Sequence, residues 1–317
     1  MPQDPTPGDQ RWERETLEKL AFASLREQRA ARRWKVGLRL LWLGFLVTLV
    51  VLWLREVHTP QVAAGPHTAV IEVRGEIAAD AEANAPSLMA SLQAAFDDPA
   101  AQGVVLLINS PGGSPVQAGM VHDEILRLKA LHNKPVHAVV EETCASAAYY
   151  IAAAADNIYV DKASIVGSIG VLMNGFGFTG LMERLGVERR LLTAGANKGF
   201  MDPFSPVNDV QRAHAQALLD DIHAQFIAVV KQGRGERLRA GPEVFSGLVW
   251  SGQTAVAMGL ADELGSLERV AREVLKAEEI IDYTEREGVA ERLMRRFGAG
   301  VGESALHSLR GAGWSLR

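Results

Sequence analysis

One serine in this sequence lies where a side chain could carry out covalent chemistry. Ser146 follows the apolar, strand-like stretch VHAVV and begins the alanine-rich run SAAYYIAAAAD. Alanine favours helices and adds little bulk, so this run predicts a turn followed by a buried helix that starts at Ser146. A serine in that position commonly caps the helix, whereas a serine with a base beside it is a nucleophile. The residues around Ser146 leave both interpretations open.

A serine nucleophile needs a base, and the chain offers lysines for this role more readily than histidines. No histidine follows Ser146 until His214, and the earlier histidines form no supporting pattern. Lysine is the other known partner of a catalytic serine. Three lysines are candidates for the base: Lys134, Lys162 and Lys198.

Lys198 is the strongest of these three candidates. Lys134 lies in a polar turn, and Lys162 follows Asp161, whose negative charge favours a protonated lysine. A lysine that acts as a base must be neutral, and desolvation lowers the pKa of lysine in that direction. Lys198 stands among small and apolar residues in TAGANKGFMDPF. The spacing alone is also compatible with an ordinary loop lysine.

The segment NSPGG, residues 109–113, ends a predicted buried strand. It is either an ordinary strand-to-helix turn, since proline and glycine are turn residues, or a source of exposed backbone N–H groups. Gly112 and Gly113, at the carboxyl edge of a sheet, could present such donors to a developing oxyanion. The motif by itself does not decide between the two.

No motif supports a cofactor or a metal. The segment GFGFTG, residues 175–180, matches the glycine pattern of dinucleotide-binding loops. The helix after it is short, however, and the next predicted strand carries Arg189 and Arg190 instead of an acid, so we interpret it as a glycine-rich loop. The eight histidines show no metal-binding spacing. We expect no cofactor.

Composition narrows the classes of function. The chain has 317 residues, 48% of them hydrophobic, which is enough for one large folded domain or two small ones. Its net charge of -5 gives no reason to expect a nucleic acid partner. Cys144 is the one cysteine, so an intrachain disulfide and a cysteine-based metal site are both excluded.

The apolar segment 36–54 predicts a transmembrane anchor. As a helix it spans about 28 Å, close to one hydrocarbon core, and Arg39, its one charge, lies near an end. A cleaved signal peptide is the alternative, but the preceding polar segment is long and the apolar run exceeds the usual length. Basic residues cluster before the run, and Arg55 is the only one close after it. This imbalance predicts a cytoplasmic N-terminus.

The remainder of the chain predicts an α/β domain. Strand and helix patterns alternate, which favours a largely parallel sheet covered by helices. The predicted strands are 68–77, 103–110, 134–142 and 187–195, with shorter extended pieces in 157–173, and the predicted helices are 87–96, 115–131, 179–186, 207–232 and 267–278. The predicted organisation is a cytoplasmic segment (1–35), the anchor (36–54), a linker (55–66), the α/β domain (67–280) and a tail (281–317).

Four motifs occur in a specific order along this domain: NSPGG, CASAAYYIAAAAD, IVGSIGV and GANKGFMDPFSP. So arranged, they closely resemble the signal peptide peptidase A family of membrane-anchored serine proteases. The resemblance covers about residues 67–275, with the expected single anchor before them, and the length matches the short, single-repeat members. It implies a Clp-protease/crotonase-like α/β fold of stacked ββα units.

The resemblance also implies roles for individual residues. Ser146 is then the nucleophile and Lys198 the general base, while the backbone N–H of Gly113, with Gly112 beside it, contributes to the oxyanion hole. Ser168, in GSIG, takes the position of a serine that helps to orient the lysine. In short members the serine and the lysine of one site come from neighbouring subunits, so the resemblance implies a homo-oligomeric ring.

These inferences predict a membrane-anchored serine endopeptidase with a Ser–Lys dyad. Its expected substrates are remnant signal peptides, and its catalytic domain is expected on the periplasmic side of the bacterial cytoplasmic membrane. One alternative is a related membrane protease that cuts a specific membrane protein, and another is a crotonase-like assembly protein without catalysis. Ala147 and Ala148 stand where family members often have glycines, so the extra methyl groups could narrow the pocket.

Overall fold

A computed structural model describes residues 32–51 and 65–286 of the chain. These residues belong to two separate units, divided between Gln61 and Val62. The described residues of the N-terminal unit form a helix, α1 (Arg32–Val51), of 20 residues with a mean hydropathy of 1.7. Its residues are all exposed. By length and composition this helix could cross a membrane, although a signal sequence meets the same criteria.

Some of the predicted segments lie outside the described residues. These are the polar segment up to residue 31, the last part of the predicted anchor (52–54), most of the linker (55–64) and the tail from residue 287.

The second unit alternates strands and helices, as the sequence predicts. Its strands are β1 (His67–Ile77), β2 (Ala101–Gly113), β3 (Val136–Ala145), β4 (Asn157–Val160), β5 (Ile165–Gly167), β6 (Val249–Ser251), β7 (Glu263–Leu264) and β8 (Ile280–Asp282). Its helices are α2 (Ala85–Asp97), α3 (Pro115–His132), α4 (Ala147–Ala152), α5 (Thr179–Leu185), α6 (Asp209–Arg234), α7 (Gly252–Met258) and α8 (Leu267–Arg269), with a π-helical turn at Val270–Val274 and 3₁₀ turns at Gly235–Arg237 and Pro242–Phe245.

The sheet of this unit is mostly parallel. Six strands lie in the order β6-β5-β3-β2-β1-β8, and only the β5–β6 pair on this path is antiparallel. Strand β3 is shared between two branches, because residues 137–140 pair with β4 and residues 143–145 pair with β5. Ser110 of β2, Cys144 of β3 and Val166 of β5 therefore lie side by side, where the last residues of the three strands come together.

The alanine-rich sequence after β3 allows a short helix to lie deep in the core. Ala147, Ala148 and Ala152 of α4 are buried, and α4 packs against β2, β3 and α3. Side chains with a single methyl group let the helix approach these elements closely. Tyr149 of the same helix is fully buried, and its hydroxyl donates to the carbonyl oxygen of Leu260 at 2.7 Å. This packing holds the first turn of α4 in place.

The predicted α/β class is confirmed, but the segment 187–195 is not a strand. Those residues are exposed, and none of the strands in residues 65–286 pairs with them. An extended segment without a neighbour would leave its N–H and C=O groups without ladder partners, so the local sequence alone was misleading.

Elements near the C-terminus also differ from the prediction. The helix predicted over 267–278 ends early, because Leu275 donates its N–H to Val270 at 2.9 Å and Lys276 has a φ of 55°. Strands β6, β7 and β8 and helix α7 were not predicted. The strands have two or three residues each, which is too few to show the alternation of apolar and polar residues that predicts a strand. Contacts with the sheet continue beyond residue 280, since Arg286 pairs with Glu72 at 3.0 Å.

Candidate active site

Ser146 occupies the turn between β3 and α4 with an unusual backbone conformation. Its φ is 54° and its ψ is -123°, and its side chain makes no capping hydrogen bond to α4. The N–H of Ser146 donates to Gly167 at 2.9 Å, and its carbonyl oxygen accepts from the N–H of Tyr150 at 3.0 Å. The cap interpretation is therefore wrong for the side chain. A strained serine between a strand and a helix is the geometry that projects a nucleophilic hydroxyl from a sheet.

The end of β2 lies directly against this turn. A Cβ atom on Gly112 would come within 2.6 Å of the Ser146 Cβ and of the Ala145 carbonyl oxygen, so the close approach requires glycine at this position. The N–H of Gly112 donates to the buried Ser110 Oγ at 3.1 Å. Because that hydrogen bond occupies the Gly112 N–H, Gly113 is the better placed of the two glycines to donate a hydrogen bond to a ligand.

Gly113 also has a backbone that only glycine accommodates. Its φ is 149°, and a Cβ atom there would overlap the carbonyl oxygen of Ile77 on β1. The next residue, Ser114, donates its N–H to that same Ile77 oxygen at 2.8 Å. Gly113 lines the cavity next to Ser146.

A cavity of 830 Å³ opens beside Ser146. Ser146, Gly113 and Ser168 all line it, so the structure brings these three predicted site residues together. Its walls come mainly from one side of α3, one side of α6 and the buried helix α4. The apolar and aromatic side chains that α3, α4 and α6 contribute include Val116, Met120, Tyr150, Ile222 and Phe226. A largely apolar cavity of this size, with a few polar groups at one end, is typical of a ligand site.

Ser168 lies in the turn that follows β5. Its φ is 53°, and its N–H donates to the carbonyl oxygen of Leu248 at 2.7 Å. The preceding residue, Gly167, accepts the N–H of Ser146. Two strained turns are thus held next to each other, and both present a serine to the cavity.

Lys198 is not part of this cluster. It is exposed, its N–H donates to Gly195 at 3.1 Å, and it is not among the residues that line the cavity. The other two lysine candidates are placed elsewhere. The ammonium group of Lys134 donates to three backbone carbonyl groups, those of Ala95, Phe96 and Asp98, and Lys162 lies beside a different cavity. Within the described part of one chain, Ser146 therefore has no lysine beside it in the cavity.

The thiol of Cys144, two residues before Ser146, can be assigned from its surroundings. Cys144 is completely buried, and burial raises the pKa of its thiol far above the ordinary value, so it stays protonated and inert. Among the described residues, no group of three histidine, cysteine or acidic side chains is arranged to hold a metal ion.

The walls of the cavity include residues that were not predicted from the sequence. Val116, Gly119, Met120 and Asp123 are spaced at i, i+3, i+4 and i+7 along α3 and all line the cavity. This spacing is the signal of one helix face, but a helix face usually packs on a core, and the sequence does not distinguish the two uses. Burial raises the pKa of Tyr150, another wall residue, and the negative charge of Asp123 adds to the effect.

Comparisons with known proteins point to a family of peptidases. The model of peptidase family S49 matches residues 129–280. "Putative protease MJ0651" of Methanocaldococcus jannaschii is 32% identical over 216 residues, which cover 65% of this chain and 69% of that protein. "Putative signal peptide peptidase SppA" of Enterococcus faecium is 31% identical over 63% of this chain and 58% of that protein.

A further relative has a higher sequence identity, but the match covers a much smaller share of that relative. The "Na(+)/H(+) antiporter NhaA" of Brucella melitensis is 48% identical over 178 residues, which are 56% of this chain. The match spans only 24% of the length of that relative.

The fold and the site define an α/β protein of the serine-hydrolase type, with a strained serine at the carboxyl ends of parallel strands. The relationship to the archaeal protein extends over most of both chains. The chain belongs to peptidase family S49, which confirms the resemblance inferred from its four motifs.

Proposed function

We propose that this chain is a membrane-anchored serine endopeptidase in which Ser146 is the nucleophile and Lys198 the general base. One observation carries the proposal: the Ser146 side chain does not cap α4, although it stands at the start of that helix, and it faces a cavity of 830 Å³. A strained backbone persists where surrounding contacts hold it, and such strain concentrates at functional sites.

The proposed reaction follows from the groups around Ser146. Neutral Lys198 takes the proton of the Ser146 hydroxyl as the oxygen attacks the scissile carbonyl carbon, and the carbonyl π electrons move to oxygen. The N–H of Gly113 donates to this oxyanion, and a donor of this kind contributes about 10²- to 10³-fold to the rate. Collapse of the intermediate releases the amine, which takes the proton from Lys198. Water then hydrolyses the acyl-enzyme by the same route.

The position of Lys198 supports a site shared between two copies of the chain. Lys198 belongs to the long segment 171–208, between β5 and α6, which has few buried residues. In this segment and at the start of α6, several large apolar side chains are more than 70% exposed: Leu172, Phe176, Leu192, Val207 and Val210. An apolar surface of this extent is typical of an interface with another chain. We propose that this segment packs on a neighbouring subunit of a homo-oligomeric ring and delivers Lys198 to the neighbour's Ser146.

Substrate class and location form the second part of the proposal. The relative from Enterococcus faecium carries the name of a signal peptide peptidase, and the apolar walls of the cavity suit the apolar, extended segments of remnant signal peptides. Helix α1 is long and apolar enough for an anchor. The basic residues before it favour a cytoplasmic N-terminus, with the peptidase domain on the periplasmic side of a bacterial cytoplasmic membrane.

Labelling with a serine-reactive phosphonate tests this function directly. The full chain in detergent is treated with the reagent, digested and analysed by mass spectrometry, with Ser146→Ala protein as the control. The proposal requires one modified peptide, with the reagent on Ser146, and loss of peptide hydrolysis in proportion to labelling. Efficient hydrolysis by a protein with no label on Ser146 would assign the nucleophile elsewhere, and absence of both would favour the non-catalytic assembly protein.

A further inference from the structure

The cavity beside Ser146 is a cleft that runs along α3. Helix α3 begins at Pro115, next to Gly113 at the proposed oxyanion end. The residues of α3 that line the cavity continue to Asp123. With a rise of about 1.5 Å per residue, Asp123 lies about 12 Å along the helix from Pro115. The cleft therefore extends well beyond the reacting atoms.

The middle of this cleft is apolar and wide. Met120, Tyr150 and Phe226 line it, and the rings of Tyr150 and Phe226 contact each other with their centroids 5.1 Å apart. Gly119 lies on the same face of α3 as Met120, and a Cβ atom there would meet no other atom within 4 Å. A long, unbranched side chain fits this space, and its methylene groups would lie against the aromatic rings.

The far end of the cleft carries a charge. Asp123 is the only charged side chain among the described residues that line the cavity. Its side chain is 84% exposed, and one carboxylate oxygen lies 3.2 Å from Nδ1 of His122, whose own side chain is buried. A carboxylate has about four acceptor positions, so this one contact leaves others free to accept from a ligand.

We propose that this cleft receives the substrate side chain next to the scissile bond and that Asp123 selects a basic one, lysine or arginine. The inference rests on the proposed peptidase function of Ser146 and names a specificity-determining residue for it. A basic side chain matches both parts of the cleft, since its stem is apolar and its end is cationic. A leucine side chain would occupy only the apolar part and would give the carboxylate no partner from the substrate.

The expected preference is moderate in size. Asp123 is mostly exposed, and an ion pair of an exposed carboxylate is worth a factor of about two to five in binding. Salt screens such a pair, so the preference should shrink as the ionic strength rises from about 0.01 M to 1 M. A peptide from the basic end of a signal sequence would meet this requirement, because basic and apolar residues are adjacent there.

Two peptides that differ only at the position before the scissile bond test the proposal. One carries lysine and the other norleucine, which keeps the stem and lacks the ammonium group. We measure the ratio of kcat/KM for the two peptides with the full chain, and we expect lysine to be favoured about two- to fivefold. In Asp123→Asn this ratio should fall to about one. Asp97→Asn, which removes an exposed carboxylate beside the last turn of α3, is the control and should keep the wild-type ratio.

Charge reversal and binding complete the test. Asp123→Lys should favour a glutamate peptide over the lysine peptide. Fluorescence anisotropy measures the binding of labelled lysine and norleucine peptides to Ser146→Ala protein. This protein should show the same preference for lysine, and the double variant with Asp123→Asn should lose it. A wild-type ratio of one or below, or an unchanged ratio in Asp123→Asn, overturns the role of Asp123. If the peptidase proposal is wrong, neither peptide is hydrolysed. The ratio of the affinities for the lysine and norleucine peptides then still decides the role of Asp123.

Discussion

The backbone N–H of Ser146 donates a hydrogen bond of 2.9 Å to the carbonyl oxygen of Gly167. This contact joins the turn after β3 to the turn after β5. Each turn holds a serine in a left-handed region of φ, Ser146 at 54° and Ser168 at 53°. Such a conformation costs about 1–3 kcal/mol for a residue with a side chain. The sheet must hold both turns, and it does so where β2, β3 and β5 end together.

Replacement of Ser146 by alanine should abolish hydrolysis without loss of stability. The Ser146 side chain makes no capping hydrogen bond, so its removal leaves α4 unchanged. Ser251 offers a matched contrast, because its Oγ accepts the N–H of Thr254 at the start of α7. Ser251→Ala should cost about 1 kcal/mol in the free energy of unfolding and retain activity. Peptide hydrolysis and denaturant unfolding of both variants check this, and an active Ser146→Ala enzyme would contradict the assignment.

Addition of one methyl group at Gly112 should damage the site. The new Cβ would lie 2.6 Å from the Ser146 Cβ and from the Ala145 carbonyl oxygen, too close without a shift of the turn. We expect Gly112→Ala to lose most activity and about 1–3 kcal/mol of stability. Gly75→Ala is the control, since Gly75 also has a positive φ, of 73°, but open space around it. Equal activity of the two variants would show that the close approach to Ser146 is unimportant.

The shared-site proposal predicts complementation between two inactive proteins. Ser146→Ala and Lys198→Ala should each be inactive, and a mixture that exchanges subunits should regain activity. In an equal random mixture about a quarter of interfaces would combine an intact serine with an intact lysine from the neighbour. Different affinity tags on the two proteins verify the mixed assembly.

Lys162→Ala is the control for this experiment, because Lys162 is also exposed but lines a different cavity. It should be active alone. A verified mixed assembly of Ser146→Ala and Lys198→Ala without activity would exclude a site shared between subunits. Full activity of Lys198→Ala alone would instead exclude Lys198 as the base.

The basic residues before the apolar segment predict the orientation in the membrane. A reporter that is active only outside the cytoplasm should be active when fused after residue 66 and inactive when fused before residue 30. Arg32, Arg33 and Lys35 supply part of the positive charge on the N-terminal side. Replacement of these three by glutamate should reduce the difference between the two fusions. The opposite pattern in the unchanged chain would reverse the assigned orientation.

The contact between Tyr283 and Asp98 should make stability depend on pH. The Tyr283 hydroxyl donates to the Asp98 carboxylate at 2.5 Å, and this hydrogen bond lowers the pKa of Asp98 below its ordinary value of 3.8. A carboxyl group whose pKa is lower in the folded state stabilises the fold above its unfolded pKa, and this contribution disappears as pH falls through the folded value.

Tyr283→Phe should therefore cost about 1 kcal/mol in the free energy of unfolding at pH 7 and progressively less below about pH 4. Denaturant unfolding between pH 7 and pH 3 measures the difference. Tyr159→Phe is the matched control, because the Tyr159 hydroxyl accepts from the neutral amide of Asn157 at 3.3 Å. Its effect should not change with pH. An equal loss for Tyr283→Phe at both ends of the range would contradict the linkage.

Long elements with a clear period were predictable from the sequence. Helices α2, α3 and α6 and strands β1, β2 and β3 match their predicted positions to within a few residues. Local preference and pattern agree in these segments, so tertiary contacts do not override them. The false strand at 187–195 and the missed short strands have another cause: a strand forms only beside a partner, and that partner is often distant in sequence.

The sequence by itself determined the motif order, the family, the α/β class and the identity of the serine to be tested. Tertiary structure alone decided that Ser146 is strained and uncapped, that the Gly112 N–H is already occupied, and that Asp123 faces the same cavity. It also left Lys198 exposed and outside that cavity. The physical reason is the separation in sequence over which each effect acts. Helix and strand preferences act between neighbours in the chain. The cavity, in contrast, is formed by strands and helices about a hundred residues apart, and packing sets their positions.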